Sequence, residues 1–227
     1  MHFTKRRGVS GLEATILVIV IVIVAAALAF VVLNMGFSTT QKAKTTIASG
    51  LGQVSSGLEV SGAVFGYGSS SQLRVLAIPI KVVAGGESVN LGTTTASIKY
   101  ISNSVTYDNI YNGALYTGSQ DTDGSADGQW SSLSGAATDA TTQSFISANP
   151  TSGNPASTKA WIYWTVNRNT NTILDEGEHA VIAVGYYANE RPSALDKLRV
   201  EVVVPTGAPL TVERQVPSIT TTYVDLG

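Results

Sequence analysis

The run Ile16–Leu33, ILVIVIVIVAAALAFVVL, holds eighteen consecutive apolar residues, and Glu13 is the single acid between it and the basic segment Lys5-Arg6-Arg7-Gly8. At ~1.5 Å per residue, a helix of that length crosses most of a ~30 Å hydrocarbon layer. Alternating Ile and Val have high β-propensity, but an isolated strand in lipid leaves its amides and carbonyls unpaired, so a helix is expected. Fourteen of the eighteen are Val, Ile, Leu or Phe. At ~2 kcal/mol per side chain, keeping them from water is worth on the order of 25 kcal/mol. Such a segment requires a membrane or a bundle of similar helices around it.

With 227 residues, 44% hydrophobic and 13% charged, the chain has room for one sizeable domain besides that helix. Scarce charge and abundant Gly, Ser and Thr suit a β-rich surface protein better than a charged cytosolic enzyme. The formal charge of −2, with no basic stripe downstream of the leader, argues against a nucleic-acid partner. The absence of Cys removes disulfides, thiol catalysis and thiolate metal sites together.

Lys5, Arg6 and Arg7 beside the apolar run should hold the amino terminus on the cytoplasmic side, so that the remainder faces outward. Three readings compete for this region: an uncleaved anchor, a secretory signal cut after Ala25–Ala29, and a leader cut before the apolar run. An ordinary signal ends at its small-residue site, whereas Phe30–Leu33 extend this run past the alanines. KRRG followed by VSGLEATILVIVIV resembles the class III signal of type IV pilins and of archaellins, the archaeal flagellins. That resemblance implies a prepilin-type peptidase recognising Lys5, Arg6, Arg7, Gly8 and Val9 and cutting between Gly8 and Val9. Glu13 then becomes the fifth residue of the mature chain, where a new α-amino group on Val9 is a cation able to neutralise it. The generic alternative is a helix-start Glu complementing the helix dipole.

Beyond the apolar run, Ala43, Ile47, Leu51, Val54 and Leu58 recur at helical spacing. The helix is therefore expected to continue from Val9 to about Val60, roughly 75 Å. Its stripe of Ile47, Leu51, Val54 and Leu58 would pack either on the chain's own β-domain or on neighbouring subunits. Gly36, Gly50, Gly52 and Gly57 each weaken it by about 1 kcal/mol relative to Ala.

After Gly62 the period changes. Leu73–Val83, Ala96–Ser102, Ala160–Val166, Ala180–Ala188, Lys197–Val204 and Leu210–Val216 are short β-branched and aromatic segments separated by Gly, Pro, Asn and Ser. They predict a β-sandwich over 63–227, with Pro79 on an edge strand or at a bulge and a turn at Pro205–Pro209. Tyr116–Ser157 is expected to be an irregular surface stretch pinned by Trp130, Phe145 and Ile146. Within it, Asp121, Asp123 and Asp127 resemble an oxygen-ligand calcium loop but lack its terminal acid, so a solvated Asp/Gly turn is the preferred reading and no metal or other cofactor is expected. His179, the only histidine after His2, is read as an exposed strand-start residue rather than a catalytic base. No G-x-S-x-G, phosphate loop or H-E-x-x-H occurs, so no catalytic residue is assigned.

The carboxyl-terminal half resembles archaellins as well. Asp175, Gly177 and Glu178 match a D-x-G-E turn before a strand, and Val200–Gly227 matches a tail of strand, Pro-Gly turn, strand with an acidic-basic pair, Pro, and a closing apolar-Asp-Leu. The resemblance leaves only about residues 66–159 uncovered. It implies an α+β chain with three parts: a class III leader over 1–8, a hydrophobic helix over 9–60 and an immunoglobulin-like sandwich over 63–227. It also implies polymerisation through Ile16, Val20, Ile23, Ala27, Phe30 and Leu33 into a motility filament on the cell surface. The implied partners are copies of the same chain, the peptidase, a membrane assembly platform, and the membrane before assembly. An adhesion pilin, or a membrane-anchored sandwich that binds a glycan or envelope protein, is the alternative. N-glycosylation is not expected, because no Asn begins an N-x-[ST] sequon and Pro150 spoils the nearest candidate at Asn149.

Overall fold

The computed structural model describes residues 9–55, 57–69, 71–117, 127–205 and 207–227 of the 227. The chain divides into two compact units, Met1–Leu51 and Gly52–Gly227. The first carries helix α1, Val9–Ser55, whose 47 residues reach about 70 Å.

Among the described residues, the second unit holds thirteen strands, one further α-helix and a single 3-10 turn at Ala188–Glu190. In chain order these are β1 (Leu58–Val60), β2 (Phe65–Ser69), β3 (Gln72–Val82), β4 (Val89–Asn90), β5 (Ser97–Ser102), β6 (Thr106–Tyr107) and β7 (Tyr111–Leu115). Helix α2 (Leu133–Thr142) follows, and then β8 (Lys159–Val166), β9 (Ile173–Leu174), β10 (His179–Gly185), β11 (Lys197–Val203), β12 (Leu210–Gln215) and β13 (Tyr223–Asp225). The larger sheet runs β13-β2-β3-β10-β8-β7 with β1 also on β3, and the smaller runs β12-β11-β5-β6. A short β4–β9 pair stands apart from both. Pairing is antiparallel except for β7 on β8, which is parallel.

Both faces of the central strands are buried. In β3, β8 and β10, Ile78, Ile80, Ile162, Trp164 and Ile182 join Ile98, Tyr100, Val200 and Val202 of the smaller sheet in one core between the sheets. The alternate residues Val75, Ala77, Trp161, Tyr163, Val181 and Ala183 join Trp130, Leu133, Ala136, Ala137 and Ala140 in a second core beneath α2. The period-2 alternation of a strand thus feeds two cores at once, which is why these strands read as unbroken apolar runs rather than as apolar-polar alternations. The α+β class, a long apolar helix followed by an immunoglobulin-like sandwich, is present as expected.

Three expectations need correction. Helix α1 stops at Ser55, and Leu58 lies not on a helical stripe but in β1, buried and opposite Val82. The sequence Leu58-Glu59-Val60 alternates, and an open segment of β3 supplies ladder hydrogen bonds that outweigh one more turn of a Gly-weakened helix. Pro79 lies on neither an edge strand nor a bulge: β3 is flanked on both sides, and its register with β10 runs unbroken from Val75 to Ile80. The proline faces the gap between the end of β1 at Val60 and the start of β2 at Phe65, where its carbonyl accepts from Ser61 N at 2.9 Å and no ladder donor is required of it.

The stretch 116–157 is not wholly irregular. Ser132 caps α2 by accepting from Gly135 N at 3.1 Å, and Leu133, Ala136, Ala137 and Ala140 form its buried face. Trp130 and Ile146 are buried and Phe145 packs beside them, as expected. The Phe145 ring comes so near Gly113 on β7 that a Cβ there would sit 2.4 Å from it, so any larger residue at this point displaces the ring.

Candidate functional site

The polymerisation residues expected from the sequence, Ile16, Val20, Ile23, Ala27, Phe30 and Leu33, all lie on α1 and are all exposed. Exposure of the large ones runs from 52% for Val20 to 72% for Phe30. They are not set apart from their neighbours, since Leu17, Val18, Ile19, Ile21 and Val22 are exposed to the same degree. Over Ile16–Leu33 the helix is apolar around its whole circumference, which marks a segment made for a nonpolar surround on every side. Its hydroxyls do not contradict that. Thr15, Thr39, Thr40 and Thr46 each donate to the carbonyl four residues back, at 2.7–2.8 Å, so their polarity is satisfied within the helix.

Val9 is the first described residue and is helical, while Lys5, Arg6, Arg7 and Gly8 lie outside the described residues. Glu13 is exposed on the second turn of α1. Of the expected stripe, Ile47 is exposed on α1, whereas the side chains of Leu51 and Val54 are outside the description.

The sandwich carries its few buried polar groups as structural fastenings. Glu178, 1% exposed, accepts from Arg168 N at 2.7 Å through Oε1 and from Asp175 N at 3.1 Å through Oε2. A single carboxylate thereby closes the turn that Gly177 makes at φ +84°, a backbone angle that favours glycine. Asp139 on α2 accepts from the Trp130 indole at 2.8 Å. Both acids are buried, and their oxygens are taken up by nearby donors. The sequence signal for α2 was the Ser132 cap followed by small apolar residues at three- and four-residue spacing, masked by the surrounding Gly, Ser and Thr.

His179 is half-buried rather than an exposed surface residue, and its Nδ1 lies 2.9 Å from Ser61 Oγ. The pair borders an open groove of about 420 Å³ between Phe65, Tyr163, Val181 and Tyr223. Among the described residues, no carboxylate hydrogen-bonds the imidazole, because Glu178 beside it is committed to backbone amides. Asp127 accepts from Gln129 N and Nε2 at 3.1 and 2.9 Å, and Asp121 and Asp123 lie outside the described residues. No group of three or more potential metal ligands occurs among the described residues.

A single helix made for an apolar surround, leading a two-sheet sandwich whose polar interior is structural, defines the class of helix-led assembly subunits. The chain belongs to the archaeal-type flagellin family, whose model matches residues 8–214. It is 37% identical over 218 residues to probable flagellin 1 of Aeropyrum pernix, covering 94% of each chain. It is 36% identical to flagellin FlaB2 of Saccharolobus shibatae over 118 residues, 50% of this chain and 39% of that one. Among solved structures it resembles the archaeal flagellum of Methanospirillum hungatei, with TM-score 0.54 and 23% identity over 91% of this chain and 93% of that one. It also resembles flagellin FlaB1 of Methanocaldococcus jannaschii, with TM-score 0.57 and 17% identity over 75% and 96%. These two likenesses establish a shared fold.

Proposed function

We infer that this chain is a structural subunit of the archaeal motility filament, polymerising through α1 so that helices fill the core and sandwiches coat it. The observation that carries the reading is an apolar helix exposed on every side in a chain of the archaeal-type flagellin family. Its role is mechanical rather than enzymatic, and the buried acids Glu178 and Asp139 are occupied in holding turns and a helix.

In this reading the precursor resides in the membrane with Lys5, Arg6 and Arg7 on the cytoplasmic side. A prepilin-type peptidase cuts between Gly8 and Val9, which removes those three positive charges and frees an α-amino group near Glu13. An assembly platform then moves Ile16–Leu33 from lipid into the helical core. The two surroundings are similarly apolar, so the transfer does not cross water. Ile16, Val20, Ile23, Ala27, Phe30 and Leu33 make core contacts and Ile47 extends them. The finished filament lies on the cell surface.

Mass spectrometry of protein sheared from cells tests this. A mature chain beginning at Val9 is expected, whereas one beginning at Met1 or beyond Ala29 overturns the reading.

A further inference from the structure

Arg74 on β3 and Arg191, just before Pro192, converge on one neutral oxygen. Arg74 Nη2 lies 3.4 Å and Arg191 Nη2 2.6 Å from Asn154 Oδ1. The remaining contacts of Arg74 are also neutral, with Nη1 donating to the Thr151 carbonyl at 3.4 Å and Nη2 donating to the Gly153 carbonyl. Both side chains are half-buried, and the Nε of each is buried with no acceptor. Ion pairs among the described residues are Lys81–Glu59 and Lys99–Asp108, and neither involves these arginines. The adjacent carboxylate of Glu190 is occupied by Tyr107 and Thr158, each at 2.6 Å.

Two guanidinium groups therefore share one amide oxygen, with water excluded from their Nε edges and no counter-charge supplied by the described residues. Arg191 registers this, since burial and then the neighbouring Arg74 charge hold it below its ordinary value. Guanidinium groups crowded in this way hold a carboxylate more strongly than an amide, because the carboxylate adds an opposite charge and a two-oxygen edge that matches the guanidinium fork. In a polymer of identical chains, the oxyanion present at the highest local concentration is a carboxylate of the next copy. Glu87, Glu176 and Glu213 are exposed carboxylates with no ion pair among the described residues.

We propose that the Arg74–Arg191–Asn154 cluster is a contact between sandwiches, taking a carboxylate side chain of a neighbouring copy of this chain. The inference rests on the filament reading and adds to it an electrostatic contact in the outer layer, separate from the apolar core.

The test uses native filaments from cells expressing Arg191→Gln, Asn154→Asp or Arg191→Lys. Arg191→Gln removes one cation, and Asn154→Asp places an acid between the two arginines within the same chain, where it competes with the neighbour's carboxylate. Both are expected to raise the fraction of subunits shed on heating about ten-fold at physiological ionic strength, with that difference shrinking in high salt. Circular dichroism of the shed subunits should show an intact sandwich, and Asn154→Asp should raise its unfolding temperature. Asn154→Asp filaments that shed like wild type overturn the proposal, because a merely local role for the arginines in holding residues 151–154 would be strengthened by that change. Carbodiimide treatment of Arg191→Lys filaments should join position 191 to an acidic peptide of another copy. A cross-link confined to one chain also overturns the proposal. Sodium sulfate added to wild-type filaments separates the sources: shedding that rises with sulfate beyond the effect of equal ionic strength of chloride is the outcome expected of an oxyanion displacing the carboxylate. Equal shedding in the two salts counts against an oxyanion site. A wild-type chain that forms no filament at all would instead overturn the function proposed above.

Discussion

Two runs rich in branched aliphatic residues end in opposite structures. Val18–Val24 is an unbroken alternation of Val and Ile and forms helix, with every side chain exposed. Val75–Val82, in which five of eight residues are Val, Leu or Ile, forms strand and is almost wholly buried. Intrinsic propensity favours strand for both. The difference lies in what each run is joined to. The first sits inside eighteen apolar residues with no turn signal, whereas Pro79 and Lys81 punctuate the second, Arg74 precedes it, and Gly and Ser bound it closely enough for antiparallel partners to form. Length without punctuation selects the helix, because only a helix satisfies a long apolar backbone by itself.

Substitutions can break either side of that comparison alone. The largest effect is expected from Val22→Asp, which places a charge at about 2.5–3.5 kcal/mol or more in the middle of the apolar run. Filament yield should fall to zero by electron microscopy while circular dichroism retains the sandwich signature, and wild-type yield would sink the role given to α1. Trp164→Ala makes the converse cut. The side chain is fully buried between the sheets, so the sandwich should lose about 3–5 kcal/mol in thermal unfolding, with α1 still partitioning into membrane. Glu178→Gln puts an amide group against two backbone N–H donors, one of which loses its acceptor. A loss of about 1–3 kcal/mol by denaturant titration is expected. Ser132→Ala should cost about 1 kcal/mol by removing the α2 cap, leaving filament assembly unchanged.

Raising the pH sharpens the comparison further, because α1 contains no tyrosine. Burial pushes the Tyr100 hydroxyl up from 10.0 to about 12, and burial raises Tyr111 and Tyr163 in the same direction. A raised value means that the folded sandwich prefers the protonated form. The contribution is fully present below pH 10 and is lost as the pH climbs through about 12. Tyrosinate absorbance should therefore rise together with loss of sandwich structure in that window, while the helical signal of α1 persists.

The parts legible in the sequence were those with one dominant physical cause. The apolar run announced its helix, and β3, β8, β10, β11 and β12 fell within a few residues of their expected bounds, because β-branched runs between Gly, Pro and Asn leave little else to form. Leu58 was misplaced because a four-residue spacing and a two-residue spacing both fit it, and only the open segment of β3 decides between them. Helix α2 is faint in the sequence because three alanines and a single leucine, Leu133, make its apolar face, which joins Trp161 and Tyr163 in one core. The place of Pro79 is not legible from its own strand, because it depends on where β1 ends and β2 begins. On α1 the apolar character was legible, and the six residues expected to make core contacts are exposed to the same degree as their neighbours, since the run Ile16–Leu33 offers no preferred side.

That last feature governs how such a chain would sit among its copies. A rod equally oily at every azimuth gains nearly the same free energy whichever way it is turned about its own axis, so greasy contact alone fixes neither its rotation nor its register. Angular information has to come from groups with direction. Polymers sharing one lubricated centre would then take their angular register from polar contacts on the outside.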